Sequence, residues 1–280
     1  MKYVIFFSLA FYNIIVFAQP RGDLYKDAVK SGSGNIVYTY AETPGFSYVN
    51  SSGQLDGICL DIMKAFEAYL KEEKGIETNV EISDATAGNF RAFLGEIKLA
   101  TGGSFGLGNV TITDARKKSY FFSPPFITNI AVFITHKDTK ELSSLENIGR
   151  DFAEKKAYTV KNSTNEEFIL EVKNKYYPAL EIVYVDSFSE VLSKVLADKS
   201  SFANIDFTYW LDALKDKKPI KRHPAGDERS EQFGIIMPRS NDWAPVLSDF
   251  FNSGFIGSTE YKKIIAKHLG NNALQLLGGI

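Results

Sequence analysis

The sequence predicts an α/β protein in which helices cover the faces of β-sheets. Segments with the alternating or β-branched pattern of strands are followed by segments with the 3.6-residue pattern of helices along most of the chain. The clearest helix spans residues 60–73, where Leu60, Met63, Phe66 and Leu70 share one apolar side. The chain of 280 residues is long enough to form one or two hydrophobic cores.

The remaining elements follow in order along the chain. Strands are predicted at residues 35–40, 77–82, 131–136, 157–160 and 181–185. Helices are predicted at residues 89–94, 165–175, 187–198, 241–253 and 259–269. The sequence contains no long linker and no internal repeat, so composition alone does not locate a domain boundary.

The first 18 residues have the pattern of a signal peptide. Lys2 supplies the basic start, residues 4–17 are mostly apolar, and Val16-Phe17-Ala18 fits a cleavage site. The apolar run is short for a membrane span, and a retained N-terminal anchor is the alternative. Because no cysteine follows the cleavage site, a lipoprotein anchor is not favoured. We therefore expect a cleaved signal peptide and a periplasmic protein.

The charge balance and the cysteine content restrict the class of protein further. The chain has 32 Lys and Arg and 34 Asp and Glu, a net charge of −2, which favours neither a nucleic-acid nor an anionic-membrane partner. Cys59 is the single cysteine, so an intrachain disulfide is excluded. Its apolar surroundings, residues 58–62, predict a buried thiol, with a reactive thiol as the alternative.

Two short patterns suggest chemistry but do not have the sequence context that this chemistry requires. Gly102-Gly-Ser-Phe-Gly106 matches the G-x-S-x-G of hydrolases, yet a strand-like run rather than a helix follows it. The three histidines His136, His223 and His268 are widely spaced and do not form a metal-binding motif. We predict neither a catalytic serine, nor a metal site, nor a cofactor.

The segment Gly108-Asn-Val-Thr-Ile-Thr-Asp-Ala-Arg116 indicates a site for a carboxylate. Val110 and Ile112 place Thr111 at the end of a short β run, and Asp114 opens a helical turn that carries Arg116. A guanidinium binds a carboxylate through two parallel hydrogen bonds, and the N–H groups of a helix start add fixed donors. The alternatives are an exposed helix charge at Arg116 and an ordinary strand residue at Thr111.

Together with Phe121-Phe-Ser-Pro-Pro-Phe126, this segment resembles the signature of the family 3 extracellular solute-binding proteins. These are the amino-acid receptors of bacterial ABC importers, and their fold is similar to the ligand-binding cores of ionotropic glutamate receptors. Residues 38–48, 53–61, 231–239 and 264–270 also match in register. The resemblance implies a two-lobe type II periplasmic binding protein with two crossover segments and a central ligand cleft. Lobe 1 would comprise residues 35–130 and 232–280, and lobe 2 residues 131–231.

The resemblance also implies how an amino acid would bind at both of its ends. Arg116, Thr111 and Asn109 would bind the ligand from lobe 1, with its carboxylate on Arg116. Asp206 would bind the ammonium from lobe 2, because it is the single acid in the apolar run 201–209; a helix N-cap is the alternative. Binding from both lobes would favour the closed state.

Further ligand contacts follow from the same resemblance. Ser163 and Thr164 lie in a turn at a helix start and would donate to the carboxylate, although Asn162 stands where the family usually has glycine. A capping box of Thr164 with Glu167 is the alternative.

The side-chain pocket would include Tyr40, Thr43 and Phe90, and both Phe46 and Phe90 are equally compatible with a core position. Receptors for basic amino acids often carry an acid where this chain has Tyr40. The absence of this acid argues against a cationic ligand, unless Glu42 takes its place. The segment 95–108 is longer and more glycine-rich than the family's helix–strand link, and it lies near the cleft.

The resulting expectation is a monomeric receptor without enzymatic activity. It would capture a small α-amino acid and deliver it to an inner-membrane ABC permease. One alternative is a dehydratase-like enzyme on the same scaffold, which would need an additional acid or base in the cleft, such as Glu42. The other is a ligand-sensing receptor.

Overall fold

The computed structural model describes residues 20–270, apart from the side chains of residues 229 and 230. The predicted signal peptide and residues 271–280 of predicted lobe 1 lie outside this range. The helices are α1 (Tyr25–Ser31), α2 (Ile58–Lys74), α3 (Phe90–Leu99), α4 (Asp114–Lys117), α5 (Ile148–Asp151), α6 (Thr164–Lys175), α7 (Phe188–Ala197), α8 (Phe207–Lys215), α9 (Ala244–Phe250) and α10 (Thr259–Leu269). Within the described range, no helix has the combination of length and apolar character that a membrane span requires.

Thirteen strands form two larger sheets and a small hairpin within the described part of the chain. They are β1 (Ser33–Tyr40), β2 (Tyr48–Val49), β3 (Leu55–Asp56), β4 (Glu77–Ser83), β5 (Ser104–Leu107), β6 (Tyr120–Phe122), β7 (Ile127–His136), β8 (Lys156–Val160), β9 (Ile182–Val185), β10 (Ser201–Asp206), β11 (Ile220–Arg222), β12 (Glu228–Phe233) and β13 (Ile236–Pro238). The first sheet has the order β4-β1-β5-β13-β6, and the second has the order β11-β7-β10-β8-β9 with β12 paired to β7.

The chain passes twice between the two sheets. It leaves the first sheet after β6, enters the second at β7, and returns between β12 and β13. This α/β architecture with two sheets agrees with the predicted two-lobe fold. We use "lobe 1" for the part built on the first sheet and "lobe 2" for the part built on the second. The division after residues 130 and 231 stays a prediction.

Most of the predicted elements are present, because their apolar residues lie at the spacing that buries one side of a helix or strand. The helix α2 is the clearest example. In α2, the apolar residues at helical spacing are buried, and Cys59 lies among them without exposure. Burial raises the pKa of the Cys59 thiol to about 12, so the cysteine is an inert core residue as predicted. The helix ends at Gly75, whose φ of 66° suits a residue without a Cβ.

Two parts of the chain differ from their predicted structure. The helix predicted for residues 241–253 begins at Ala244 and gives way after Phe250 to a π-helical turn, where Gly254 has a φ of 93°. No strand or helix was predicted at β10 and α8, which follow one another without an intervening turn residue. β10 is buried on both faces, so its sequence lacks the alternating pattern of a strand with one exposed face.

The glycine-rich segment 95–108 is the end of α3 followed by the central strand β5. A Cβ at Gly106 would lie 2.4 Å from the side chain of Ile236, so the absence of a side chain lets β13 approach β5 closely. Ser104 lies inside β5, where its hydroxyl donates to the carbonyl of Thr101 (2.9 Å). The serine is therefore in a strand rather than at the strand-to-helix turn that a nucleophile elbow requires.

Candidate ligand-binding cleft

Arg116 lies at the first turn of α4, directed toward lobe 2. Thr113 caps this helix by accepting a hydrogen bond from the backbone N–H of Arg116 (3.1 Å). The guanidinium donates to the carbonyl of Thr111 (2.9 Å) and, across the lobes, to the carbonyl of Asn162 (3.1 Å). Its carbon lies 5.7 Å from the ring centre of Phe90. The sequence-predicted arginine is thus held in a fixed orientation between the lobes.

Asp206 is the last residue of β10 and is 3% exposed. It stands at the N-cap position of α8, but its side chain makes no capping hydrogen bond. The carboxylate instead accepts hydrogen bonds from Asn109 and Asn129 (2.7 Å), and Asn165, whose amide donates to Asn204 (2.8 Å), lies beside it. Burial and the neighbouring Glu231 raise the pKa of Asp206 well above its usual range.

Glu231, in β12, belongs to the same buried network and was not predicted as a site residue. It is 8% exposed and accepts hydrogen bonds from the Thr111 hydroxyl (3.1 Å) and from Asn129 (2.7 Å). One amide nitrogen, Asn129 Nδ2, therefore donates to both Glu231 and Asp206. The available sequence signal was its position at the start of the Glu231-Gln-Phe-Gly234 run, which matches the family beside the predicted second crossover.

The two lobes are joined by direct hydrogen bonds across the cleft. Asn109 of lobe 1 donates to Asp206 of lobe 2, and the hydroxyl oxygens of Thr111 and Thr164 are 3.3 Å apart. On another side, the Tyr209 hydroxyl donates to the carbonyl of Glu42 (3.2 Å). These contacts define a closed arrangement, with the predicted residues of lobe 1 facing those of lobe 2.

Thr43 is placed behind Asn109. Its hydroxyl lies 2.9 Å from Asn109 Oδ1 and 3.2 Å from the carbonyl oxygen of Ala41. The opposite end of the Asn109 amide, its NH₂ group, faces Asp206. Thr43, which is buried, therefore acts on the cleft through Asn109 rather than by covering it.

The turn before α6 differs in detail from its predicted capping. Ser163, and not Thr164, is the N-cap of α6, because its hydroxyl accepts from the N–H of Glu166 (3.0 Å) while it donates to the carbonyl of Val160 (2.6 Å). The alternative capping box of Thr164 with Glu167 is therefore not formed, and the Glu166 carboxylate accepts from the backbone N–H of Asn162 (2.6 Å). Since the Ser163 hydroxyl has one proton and that proton is used, Thr164 is the hydroxyl that faces the cleft.

Asn162 explains how the turn forms without the glycine that the family usually has. Its φ of 66° lies in the left-handed region, which asparagine tolerates better than other residues with a Cβ. The turn brings the carbonyl of Asn162 to the guanidinium of Arg116.

The structure places Phe90 at the lobe interface and Tyr40 away from the network. The ring of Phe90 packs edge-on against Phe188 of lobe 2, 6.1 Å between centres, and its backbone N–H donates to Asp186 (3.3 Å). Tyr40 instead lines a separate cavity of about 750 Å³ on lobe 1, together with Leu60 and other residues of α2. Its role in side-chain recognition stays a prediction.

A group with the chemistry of metal ligands lies outside the cleft. Within residues 20–270, Asp56, Asp61 and His268 bring potential ligand atoms within 4.8 Å of one another. The ammonium of Lys267 donates to Asp61 (2.7 Å) and Asp56 (3.4 Å), so a positive charge already lies between these carboxylates. We interpret the group as an ion-pair network that fastens α10 to α2.

Comparisons with known proteins agree with this fold. Among solved structures, an ancestral arginine-binding protein bound to arginine has a TM-score of 0.68 and 22% identity, covering 85% of this chain and 99% of its own. ArtJ, the arginine-, lysine-, histidine-binding protein of Geobacillus stearothermophilus, has a TM-score of 0.67, 17% identity, and coverages of 84% and 95%. The GluR0 ligand-binding core of Nostoc punctiforme, in complex with L-glutamate, has a TM-score of 0.64, 17% identity, and coverages of 84% and 99%.

Because the sequence identities are low, the similarity to these structures establishes the fold alone. The fold is that of the two-lobe type II periplasmic binding proteins. The comparison with curated proteins found no match. The model of the bacterial extracellular solute-binding proteins, family 3, matches residues 36–271. The chain therefore belongs to this family of binding proteins.

Proposed function

We propose that this protein captures a small α-amino acid between its lobes and delivers it to an ABC permease. The observation that carries the proposal is the placement of Arg116 and Asp206 at one short segment of the cleft, where the guanidinium contacts the carbonyl of Thr111 and the carboxylate contacts the amide of Asn109, two residues earlier. An α-amino acid has the two complementary charges within one small molecule. Its carboxylate matches the guanidinium, and its ammonium matches the buried carboxylate.

The other cleft residues complete the assignment. The hydroxyl of Thr164 would donate to the ligand carboxylate beside Arg116, and that of Thr111, 3.3 Å away, would have to turn from Glu231 to do the same. Asn109 would turn its amide from Asp206 to the ligand as the ammonium takes its place. A ligand that contacts both lobes stabilises the closed state through contacts that the open state lacks. The amino acids bound to the structural relatives support this class of ligand.

The proposed role in transport is supported by the family to which the chain belongs, and not by the residues of the cleft. Members are extracellular solute-binding proteins, and a structural relative is described as the substrate-binding protein of an amino-acid ABC transporter. We infer that this chain is exported to the periplasm, acts as a monomer, and releases its ligand to an inner-membrane permease without chemical change.

The proposed function is tested by identifying the ligand and checking that it is not converted. Protein is purified, the bound molecule is released by denaturation and identified by mass spectrometry, and the compound is then titrated into ligand-free protein by calorimetry. We expect a single α-amino acid that binds with one site and is recovered unchanged. Conversion of the ligand to a product would instead support the dehydratase-like enzyme, and failure of all amino acids to bind would reject the proposal.

Ligand binding is expected to weaken as the pH falls through neutrality. The pKa of Asp206 is raised to about 7 by burial and by Glu231, whereas an ammonium ligand would lower it by stabilising the carboxylate. The free protein then holds a proton that the complex lacks, so affinity decreases by up to about tenfold per pH unit below 7. Calorimetry at pH 6 to 8 in two buffers of different ionisation enthalpy measures both the affinity and the protons released. An affinity independent of pH, with no proton release, would contradict this linkage.

A further inference from the structure

The carboxylate of Glu231 uses a hydrogen-bond donor that the proposed ligand also needs. Its oxygen Oε1 accepts a hydrogen bond from the Thr111 hydroxyl (3.1 Å). That hydroxyl has a single proton, so Thr111 cannot donate to Glu231 and to a ligand carboxylate at the same time. Arg116 lies at the same place, because its guanidinium donates to the carbonyl of Thr111 (2.9 Å). Glu231 and a ligand carboxylate at Arg116 therefore compete for one hydroxyl.

The charge of Glu231 also acts on Arg116. Burial lowers the pKa of the Arg116 guanidinium, and among the acids that oppose this lowering Glu231 has the largest effect. A ligand carboxylate bound to Arg116 would thus lie near a carboxylate that already faces the same guanidinium. In a site that is partly closed to water, two such like charges repel each other more strongly than they would at the surface.

The neighbouring strand holds the Glu231 side chain in this position. Glu231 is 8% exposed, and the register of β12 with β7 places it directly opposite Asn129. Asn129 Nδ2 donates to the second oxygen of Glu231, Oε2 (2.7 Å), and its other proton is donated to Asp206 (2.7 Å). Both oxygens of Glu231 thus have a donor. The carboxylate is anchored inside the site, and a ligand has to bind beside it.

The shared amide of Asn129 makes Glu231 and Asp206 neighbours, so two acids border the place where a ligand would bind. An α-amino acid brings one carboxylate and one ammonium, and the ammonium offsets the repulsion that its carboxylate meets. A carboxylate without an ammonium brings a further negative charge and nothing that offsets it. The two acids therefore disfavour a simple carboxylate much more than an amino acid.

We propose that Glu231 is a specificity-determining residue, which competes with the ligand carboxylate for Thr111 and Arg116 and thereby excludes carboxylates that have no ammonium group. The inference rests on the proposed function and deepens it, because it states how the same cleft selects α-amino acids. The role of Glu231 is distinct from that of Asp206. Asp206 attracts the amine, whereas Glu231 adds a cost for every carboxylate that enters.

The test compares a carboxylate with and without an ammonium group. The probes are L-alanine and propionate, which share a carbon chain, and NMR titration of the full-length mature protein measures even their weak binding. The titrations are made at pH 8, above the pKa of about 7 of Asp206. In Glu231→Gln, propionate should bind about fivefold more tightly than in the parent protein, because one repelling charge is removed. Alanine should change by less than about twofold, since its carboxylate gains what its ammonium loses.

A matched control separates this effect from a change in net charge. Glu181→Gln removes the same charge from an exposed position of lobe 2 and should leave both affinities unchanged. Propionate that gains nothing in Glu231→Gln would overturn the inference. Equal losses for both probes would also overturn it, because they would show that Glu231 only supports the structure of the site.

Two further outcomes are distinguished by the same measurements. If Glu231→Gln does not fold by circular dichroism, Glu231→Asp replaces it. This variant draws the carboxylate back from Thr111 by one methylene, so propionate should again gain, and the absence of a gain would reject the competition. If no amino acid binds the parent protein, the proposed function fails, and the propionate titrations then decide separately whether Glu231 competes for Thr111.

Discussion

Arg116→Ala is expected to abolish most ligand binding while the protein stays folded. The guanidinium is the group of lobe 1 that can form a paired, charge-assisted bond with the ligand carboxylate, and it is already oriented by the carbonyls of Thr111 and Asn162. Loss of one partner from such a desolvated pair costs about 2–5 kcal/mol of binding free energy. Calorimetric titration with the identified amino acid measures this loss directly.

Two further variants separate the effect of geometry from that of net charge. Arg116→Lys should also bind poorly, because an ammonium does not reproduce the planar pair of donors. Lys118→Ala removes one positive charge from an exposed position two residues away and should bind like the parent protein. The circular-dichroism spectrum and thermal midpoint of each variant report whether the fold is retained. Near-parental affinity in Arg116→Ala would remove Arg116 from the site.

The second large effect concerns Asp206 and the ligand's ammonium. In the parent protein, a deaminated analogue should bind far more weakly than the amino acid, because it leaves the buried carboxylate without a cation. In Asp206→Asn this difference should shrink, since the variant has no charge to pair. The four affinities form a double-mutant cycle between protein and ligand, which isolates the coupling between Asp206 and the ammonium.

The cycle also corrects for disturbance of the amide network around Asp206. The asparagine side chain would face the amides of Asn109, Asn129 and Asn165, and this disturbance affects both ligands alike. Asp216→Asn, at an exposed surface pair with Lys218, is the matched control. If removal of the ammonium has the same cost in the parent and in Asp206→Asn, within about 0.5 kcal/mol, Asp206 does not bind the amine.

The local part of the site could be predicted because its determinants are adjacent in sequence. The run from Thr111 to Arg116 contains the capping Thr113 and the helical turn, so its spacing places the guanidinium near Thr111. The short β run predicted around Thr111 is not a strand, because β5 ends at Leu107 and Thr111 forms only a single bridge with Phe233. The helix at 259–269 was predicted with its observed bounds for a similar reason: its apolar period and its cap, Ser258, are both local.

The remaining site residues come from pairings between distant segments. Asn129 and Glu231 meet because β7 and β12 pair across about a hundred residues, with Asn129 directly opposite Glu231 in the register. Tyr209 donates to the carbonyl of Glu42, which lies in the other lobe and is separated from it by 167 residues. Neither contact has a local periodic pattern, so single-sequence analysis provides no position for these side chains. Tyr40 is placed in the ligand pocket by the resemblance alone, and this assignment stays a prediction beside the observation that its side chain lines a cavity next to α2.

At residue 162 this chain has asparagine where the family usually has glycine, and both residues fit the local backbone. The resemblance treated Asn162 as a departure, whereas the backbone requires only a residue that tolerates a positive φ. The shift of the cap from Thr164 to Ser163 is the opposite case. Both residues are good caps, and the choice depends on the backbone path at Val160, which the sequence does not determine.

A crystal structure of the protein with its identified ligand tests the central claim most directly. The account predicts the ligand carboxylate within hydrogen-bonding distance of both terminal nitrogens of Arg116, and the α-ammonium on the carboxylate of Asp206, about 2.7–2.9 Å away. It also predicts that Asn109 no longer donates to Asp206. A ligand bound to one lobe only, or outside the space between Arg116 and Asp206, would contradict the account.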